Sequence, residues 1–134
     1  METMAAAYPS MNTILVVDDS PIMRKMVLAS LAEIGSARFE EASSGLEAIE
    51  RLALVPVNLM ILDLNMPDMH GLEVLKFVRN HGAYREIPIV VLTTRGDEAS
   101  SSAALSAGAS SYMTKPFVPQ VLAARARELL NTDG

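Results

Sequence analysis

Short apolar runs recur along the chain, and each stops at a polar or charged residue. Ile14-Leu15-Val16-Val17 stops at Asp18-Asp19, and Leu59-Met60-Ile61-Leu62 stops at Asp63. Ile87-Pro88-Ile89-Val90-Val91-Leu92 stops at Thr93-Thr94. Unbroken apolar runs of this length read as strands buried on both faces. Ala37 to Glu41 and Ser110 to Thr114 are two further strand candidates, the latter ending at Lys115-Pro116. Between the runs the period becomes helical. Ser20-Pro21 caps and opens a first helix whose inward positions are read as Ile22, Met26, Ala29 and Ile34, with Gly35 ending it. Ser44 to Leu54 is a second helix, with Leu46, Ile49 and Leu52 inward. Gly71 to about His81 is a third, with Leu72, Leu75 and Val78 inward. Asp97 to Ala107 is a serine-rich helix of modest propensity, and Pro119 to Leu130 is the last. Five strands alternating with five helices predict an α/β fold: a doubly wound, five-stranded parallel sheet covered on both faces.

Composition narrows this further. With 134 residues, half of them hydrophobic, the chain has apolar material for one core. Residues 12–131 are read as that domain and residues 1–11 as a disordered leader, with Met11 a plausible start. The leader has no basic residue ahead of its alanines and does not read as a secretion signal. The longest apolar stretch, Leu52 to Leu62, is broken by Pro56 and Asn58, whereas a membrane span needs about 20 residues. Sixteen acidic against 11 basic residues give a formal charge of -5, which disfavours nucleic acid and anionic membrane as partners. The absence of cysteine excludes thiol nucleophiles, thiolate metal sites and disulfides. A cytoplasmic monomer is the expectation.

The polar residues that end the strands carry the candidate chemistry. Ligands of open parallel sheets bind beyond the carboxyl ends of the strands, so Asp18, Asp19, Asp63, Thr93 and Lys115 are expected to share one rim. Polar residues also end strands merely because the chain meets solvent there. That explanation suits any one of these residues better than the whole set. Three carboxylates this close repel by roughly 4 kcal/mol per pair at about 4 Å and an effective dielectric of about 20. Such a cluster takes up protons or a cation. An all-oxygen donor set suits Mg²⁺, which keeps several waters and commonly bridges carboxylates to phosphate. With Mg²⁺ and the Lys115 ammonium, the three carboxylates are neutralised. Asp63 could then attack phosphorus and become an acyl phosphate.

Val-Val-Asp-Asp-Ser (16–20), Leu-Asp-Leu-Asn-Met-Pro-Asp-Met-His-Gly (62–71), Val-Leu-Thr-Thr (91–94) and Gly-Ala-Ser-Ser-Tyr-Met-Thr-Lys-Pro-Phe (108–117) occur in this order. On these segments the chain resembles the receiver domains of bacterial two-component response regulators, and among them the stand-alone chemotaxis regulators. The resemblance implies a flavodoxin-like strand order of 2-1-3-4-5. It implies Asp63 as phosphoacceptor, and Asp19, Asp63 and the Asn65 carbonyl as Mg²⁺ ligands, with Asp18 acting through water. Lys115 would pair with the phosphoryl group, and Lys115-Pro116 would be cis. Thr93 and Tyr112 would form a switch that reshapes the surface of the fourth helix, fifth strand and fifth helix. The implied partners are a histidine kinase or phosphotransfer protein as donor and a downstream protein target. The protein would then be no enzyme beyond its own phosphorylation and dephosphorylation. His70 stands where the family commonly has Asp, and is expected to be an exposed loop residue. His81 is expected near a helix C-terminus. Met23, Met26, Met60, Met66, Met69 and Met113 are read as core and loop filling.

Two alternatives stay open: a receiver piece of a larger regulator or phosphorelay, and a Mg²⁺-dependent aspartyl phosphatase. The phosphatases usually carry Asp-x-Asp after the first strand, whereas here the acids are adjacent. A dinucleotide-binding fold fails, because no Gly-x-Gly-x-x-Gly follows the first strand. Asn65 and Arg95, two residues after Asp63 and Thr93, flank the expected path of an attacking water. Arg95→Ala is therefore expected to change the autodephosphorylation rate while leaving Mg²⁺ affinity nearly intact. Timed loss of the phosphoryl group beside a Mg²⁺ titration checks it.

Overall fold

The computed structural model describes residues 11–131; the proposed leader, apart from Met11, lies outside them. Five strands form one parallel sheet: β1 (Asn12–Val17), β2 (Ala37–Ala42), β3 (Leu59–Leu62), β4 (Ile89–Thr93) and β5 (Ser111–Thr114). Their spatial order is β2-β1-β3-β4-β5, as the family resemblance implies. The helices are α1 (Pro21–Leu31), α2 (Gly45–Leu54), α3 (Gly71–Arg79), α4 (Glu98–Ser106) and α5 (Pro119–Leu130), with a 3₁₀ turn at Ala32–Ile34 after α1.

Successive strand residues point to opposite faces, so the sheet has two cores. Ile14, Val16, Leu59, Ile61, Val90 and Leu92 pack with Val27 and Leu31 of α1 and with Leu122, Ala123 and Ala126 of α5. Leu15, Val17, Met60, Leu62, Ile89 and Val91 pack with Ala48, Leu52, Val74, Leu75, Val78 and Ala104 of the other three helices. Burial on both faces is why these strands read as continuous apolar runs. None of the helices among the described residues is long and apolar enough to cross a membrane.

The helix boundaries follow from caps. Ser20 Oγ accepts the Met23 N–H, Ser44 Oγ the Glu47 N–H and Asp97 Oδ2 the Ser100 N–H. His70 is exposed but not an idle loop residue: its Nδ1 accepts the Leu72 N–H and caps α3. The inward faces of two helices differ from the sequence reading. In α1, Val27, Ser30 and Leu31 are buried, while Ala29 is exposed, Ile22 is 73% exposed and Met26 49% exposed. The helix has apolar residues on both sides, and its contact with α5 selects the smaller set. Ser30 is accepted there because its hydroxyl donates to the Met26 carbonyl. Leu46 of α2 is exposed, and the buried positions are Gly45, Ala48 and Leu52. Met26 is accordingly surface rather than core. Strand β4 begins at Ile89, two residues later than the apolar run.

That later start has a cause in Arg79, at the end of α3. Its guanidinium donates to the main-chain carbonyls of Gly108, Arg85 and Ile87. One side chain thus satisfies carbonyls from both loops that flank α4 and β4. Gly108 sits at φ 111, and a Cβ there would lie 2.7 Å from Arg79 Cγ. Replacing Arg79 leaves several carbonyls without that donor. Arg79→Ala is expected to cost about 2–3 kcal/mol, and Arg79→Lys, with a single point of donation, to recover only part. Urea denaturation of the two variants measures the difference.

Candidate functional site

The residues that end the strands stay tethered to the neighbouring strand. The Asp18 N–H donates to the Ala42 carbonyl, the Asp63 N–H to the Val17 carbonyl and the Lys115 N–H to the Thr93 carbonyl. Each therefore continues the ladder by one bond while its side chain projects past the sheet. Asp18, Asp63 and Thr93 are buried, and Asp19 is exposed.

Carboxylate oxygens of Asp18, Asp19 and Asp63 all lie within 4.8 Å of one another. Lys115 Nζ lies 2.6 Å from Asp18 Oδ2 and 3.5 Å from Asp63 Oδ2. The Lys115–Pro116 bond is cis. Asp18 is held a second time, by the Ser20 N–H on Oδ1 at 2.9 Å. Burial pushes the Asp63 carboxyl above its ordinary value, and Asp18 adds to that rise. The Lys115 charge opposes it, with smaller help from the Asn65 N–H and the Thr93 hydroxyl. Asn65 Nδ2 makes long hydrogen bonds to Thr93 Oγ1 and Thr94 Oγ1, at 3.4 and 3.5 Å, so its side chain lies against the threonines rather than free in solvent. The donor set fits a hard divalent cation: three carboxylates converge, no imidazole or thiolate joins them, and the exposed Asp19 leaves one side open to solvent.

The remaining site candidates sit next to this centre. The phenol of Tyr112 donates to the Arg95 carbonyl. Burial holds that phenol above its ordinary value, so it remains a donor. The Arg95 side chain turns to Asp97, with Nε 3.5 Å from Oδ1, and lines a groove with His70, Leu72 and Ala103 rather than reaching Asp63.

Four residues of the site were not singled out from sequence. Arg24 donates to the Asp18 carbonyl. Thr94 accepts from Asn65. Asp68 accepts the N–H groups of Gly45 and Leu46, which pins the loop after Asp63 to the start of α2. Gly71 donates to the Leu64 carbonyl, and a Cβ on it would meet the Asp63 carbonyl oxygen at 2.5 Å. Only Gly71 carried a signal, as a glycine at a loop-to-helix junction. The other three contacts depend on tertiary placement.

A family model described as the response regulator receiver domain matches residues 14–127. Chemotaxis protein CheY1 of Helicobacter pylori is 42% identical over 121 residues, covering 90% of this chain and 98% of that protein. The structure of Vibrio cholerae chemotaxis protein CheY4 superposes with a TM-score of 0.82 at 33% identity, covering 90% of this chain and 99% of that one. The Mn²⁺-bound form of response regulator Rcp1 superposes with a TM-score of 0.79 at 27% identity, covering 90% and 96%.

The raised Asp63 carboxyl has a stability consequence. The folded state binds that proton more tightly than the unfolded state. Asp63 therefore lowers stability as pH rises from the unfolded carboxylate value, about 4, through its raised folded value. The penalty is therefore larger at neutral pH than near pH 4. Asp63→Asn is expected to be more stable than wild type in EDTA by on the order of 1 kcal/mol, about 3–5 °C in Tm for a domain of this size. The gain should vanish toward pH 4. Thermal melts at the two pH values check it.

Proposed function

The chain belongs to the response regulator receiver domain family, and from that premise we propose that Asp63 is the phosphoacceptor of a signalling switch. The observation that carries the reading is the convergence of Asp63 with Asp18, Asp19 and the Lys115 ammonium on one rim. The donor is the phosphorylated imidazole of a histidine kinase or phosphotransfer protein, or a small acyl phosphate. An Asp63 carboxylate oxygen forms a bond to phosphorus. The bond from phosphorus to the donor nitrogen breaks, and the electron pair leaves with the imidazole. Lys115 Nζ, already 3.5 Å from Asp63 Oδ2, is placed to take a phosphoryl oxygen as an ion pair. The Thr93 hydroxyl and the Asn65 N–H are further donors toward the same group. Asp18, Asp19, Asp63 and the Asn65 carbonyl would hold Mg²⁺, which supplies charge neutralisation on the phosphoryl oxygens when bound. Asn65 and Arg95 would set how long the phosphoryl group survives.

The output is a change of surface. Thr93 is buried at the end of β4, and moving its hydroxyl toward a phosphoryl group disturbs the loop into α4. Tyr112 is bonded to the carbonyl of Arg95 in that loop, so it responds to the same movement. Helix α4 is loosely held, with Ala104 its only buried residue. The face built by α4, β5 and α5 is therefore where a downstream protein would read the switch. Similarity to chemotaxis proteins supports a chemotaxis-like pathway.

Acetyl phosphate with MgCl₂ is expected to add one phosphoryl group per chain, read by intact mass. Asp63→Asn and EDTA should each abolish it. Labelling that persists in Asp63→Asn overturns the assignment.

A further inference from the structure

Asp18 and Asp19 are held very differently. The Asp18 carboxylate is fixed by Lys115 and by the Ser20 N–H. Among the described residues none bonds the Asp19 carboxylate. Its position is set by the backbone that carries it. On the strand side, that backbone is anchored where the Asp18 N–H meets the Ala42 carbonyl at 3.0 Å. On the other side, the Asp18 carbonyl, which belongs to the Asp18–Asp19 peptide, accepts Arg24 Nη1 at 2.6 Å.

Arg24 lies in the first turn of α1, and its N–H donates to the Ser20 carbonyl. Its side chain folds back toward the rim and is 16% exposed. The guanidinium is gripped from its other side by Glu41, with Nε 2.9 Å from Oε1. Glu41 is placed by the ladder, where it pairs in register with Val16. Two donors of one rigid fork thus bridge a backbone carbonyl in the acid pocket and a carboxylate on the edge strand. A charge-assisted bond to that carbonyl resists rotation of the peptide, and rotation of the peptide would swing Asp19.

We infer that Arg24 is a positioning residue of the acid pocket: by clamping the Asp18–Asp19 peptide it sets the aim of Asp19 and hence the affinity for a divalent cation. The inference rests on the receiver reading of that pocket. It also makes a surface network a route into the site. The Glu41 carbonyl accepts Arg51 Nε, and Arg51 is near Glu40 and Glu47. Arg24, Glu41, Glu47 and Arg51 line one groove of about 260 Å³. Whatever draws Glu41 away from Arg24 would reach the Asp19 backbone.

The test titrates MgCl₂ into the full chain by calorimetry, for wild type, Arg24→Ala and Arg24→Lys. It also records amide ¹H–¹⁵N spectra of the metal-free proteins. Residues that orient metal ligands typically contribute ten-fold or more to affinity, so Arg24→Ala should bind Mg²⁺ about 10-fold more weakly. Arg24→Lys, with one donor cluster for two acceptors, should fall about 3-fold. The Asp19 and Ser20 amides should shift before any metal is added. Should Arg24→Ala fail to fold, the Lys variant carries the comparison. Wild-type Mg²⁺ affinity in a folded variant overturns the positioning role, whatever its Tm. If wild type itself binds no Mg²⁺, the receiver reading of the pocket fails instead.

Discussion

The Lys115 ammonium lies between the carboxylates of Asp18 and Asp63, and the rest of the site is arranged around that contact. Without it, two buried acids would face each other with only the exposed Asp19 between them and solvent. Such a cluster would be driven to bind protons. With it, the charge is partly balanced, and some negative charge is left for a cation. The imbalance is useful. The Lys115 bond to Asp18 is short and the one to Asp63 is long, so the cation holds the pocket together without capping Asp63.

Bringing these groups together takes little besides the sheet. Three of the rim residues keep a ladder hydrogen bond to the strand beside them, so their backbones are as fixed as the strands themselves. The loop after Asp63 is pinned twice more, by Asp68 accepting the first N–H groups of α2 and by Gly71 packed against the Asp63–Leu64 backbone. Rigidity is concentrated at Asp63, and looseness is concentrated across the sheet at α4. In the proposed switch, a change of charge at Asp63 would meet little freedom nearby. It would then be passed to α4, the helix with the least packing to lose.

The strands, their order of appearance and the acids that end them were legible, because burial on both faces writes an unbroken apolar run with an abrupt polar stop. Caps at Ser20, Ser44 and Asp97 were legible as residue types. The rotation of α1 was not. Ile22 and Met26 are as apolar as Val27 and Leu31, and only the shape of the facing α5 surface decides between them. Arg24 and Arg79 were also silent. The contacts that join them to the site and the loops are to main-chain carbonyls, which any sequence supplies, so no residue type marks the partner. The exposed position of His70 was legible, but its cap was not. An imidazole nitrogen can accept the same backbone N–H that a carboxylate would, and residue type alone does not announce it.

Among the described residues, strand β2 lies at the edge of the sheet, paired only with β1. Its free side would ordinarily invite a strand from another molecule. It carries Arg38, Glu40 and Glu41, and charges along an edge oppose such pairing. Glu41 thus has a second consequence beyond its grip on Arg24. The carboxylate that steadies the pocket also helps keep the sheet closed to further strands, so solubility and the geometry of the site share a residue and constrain each other.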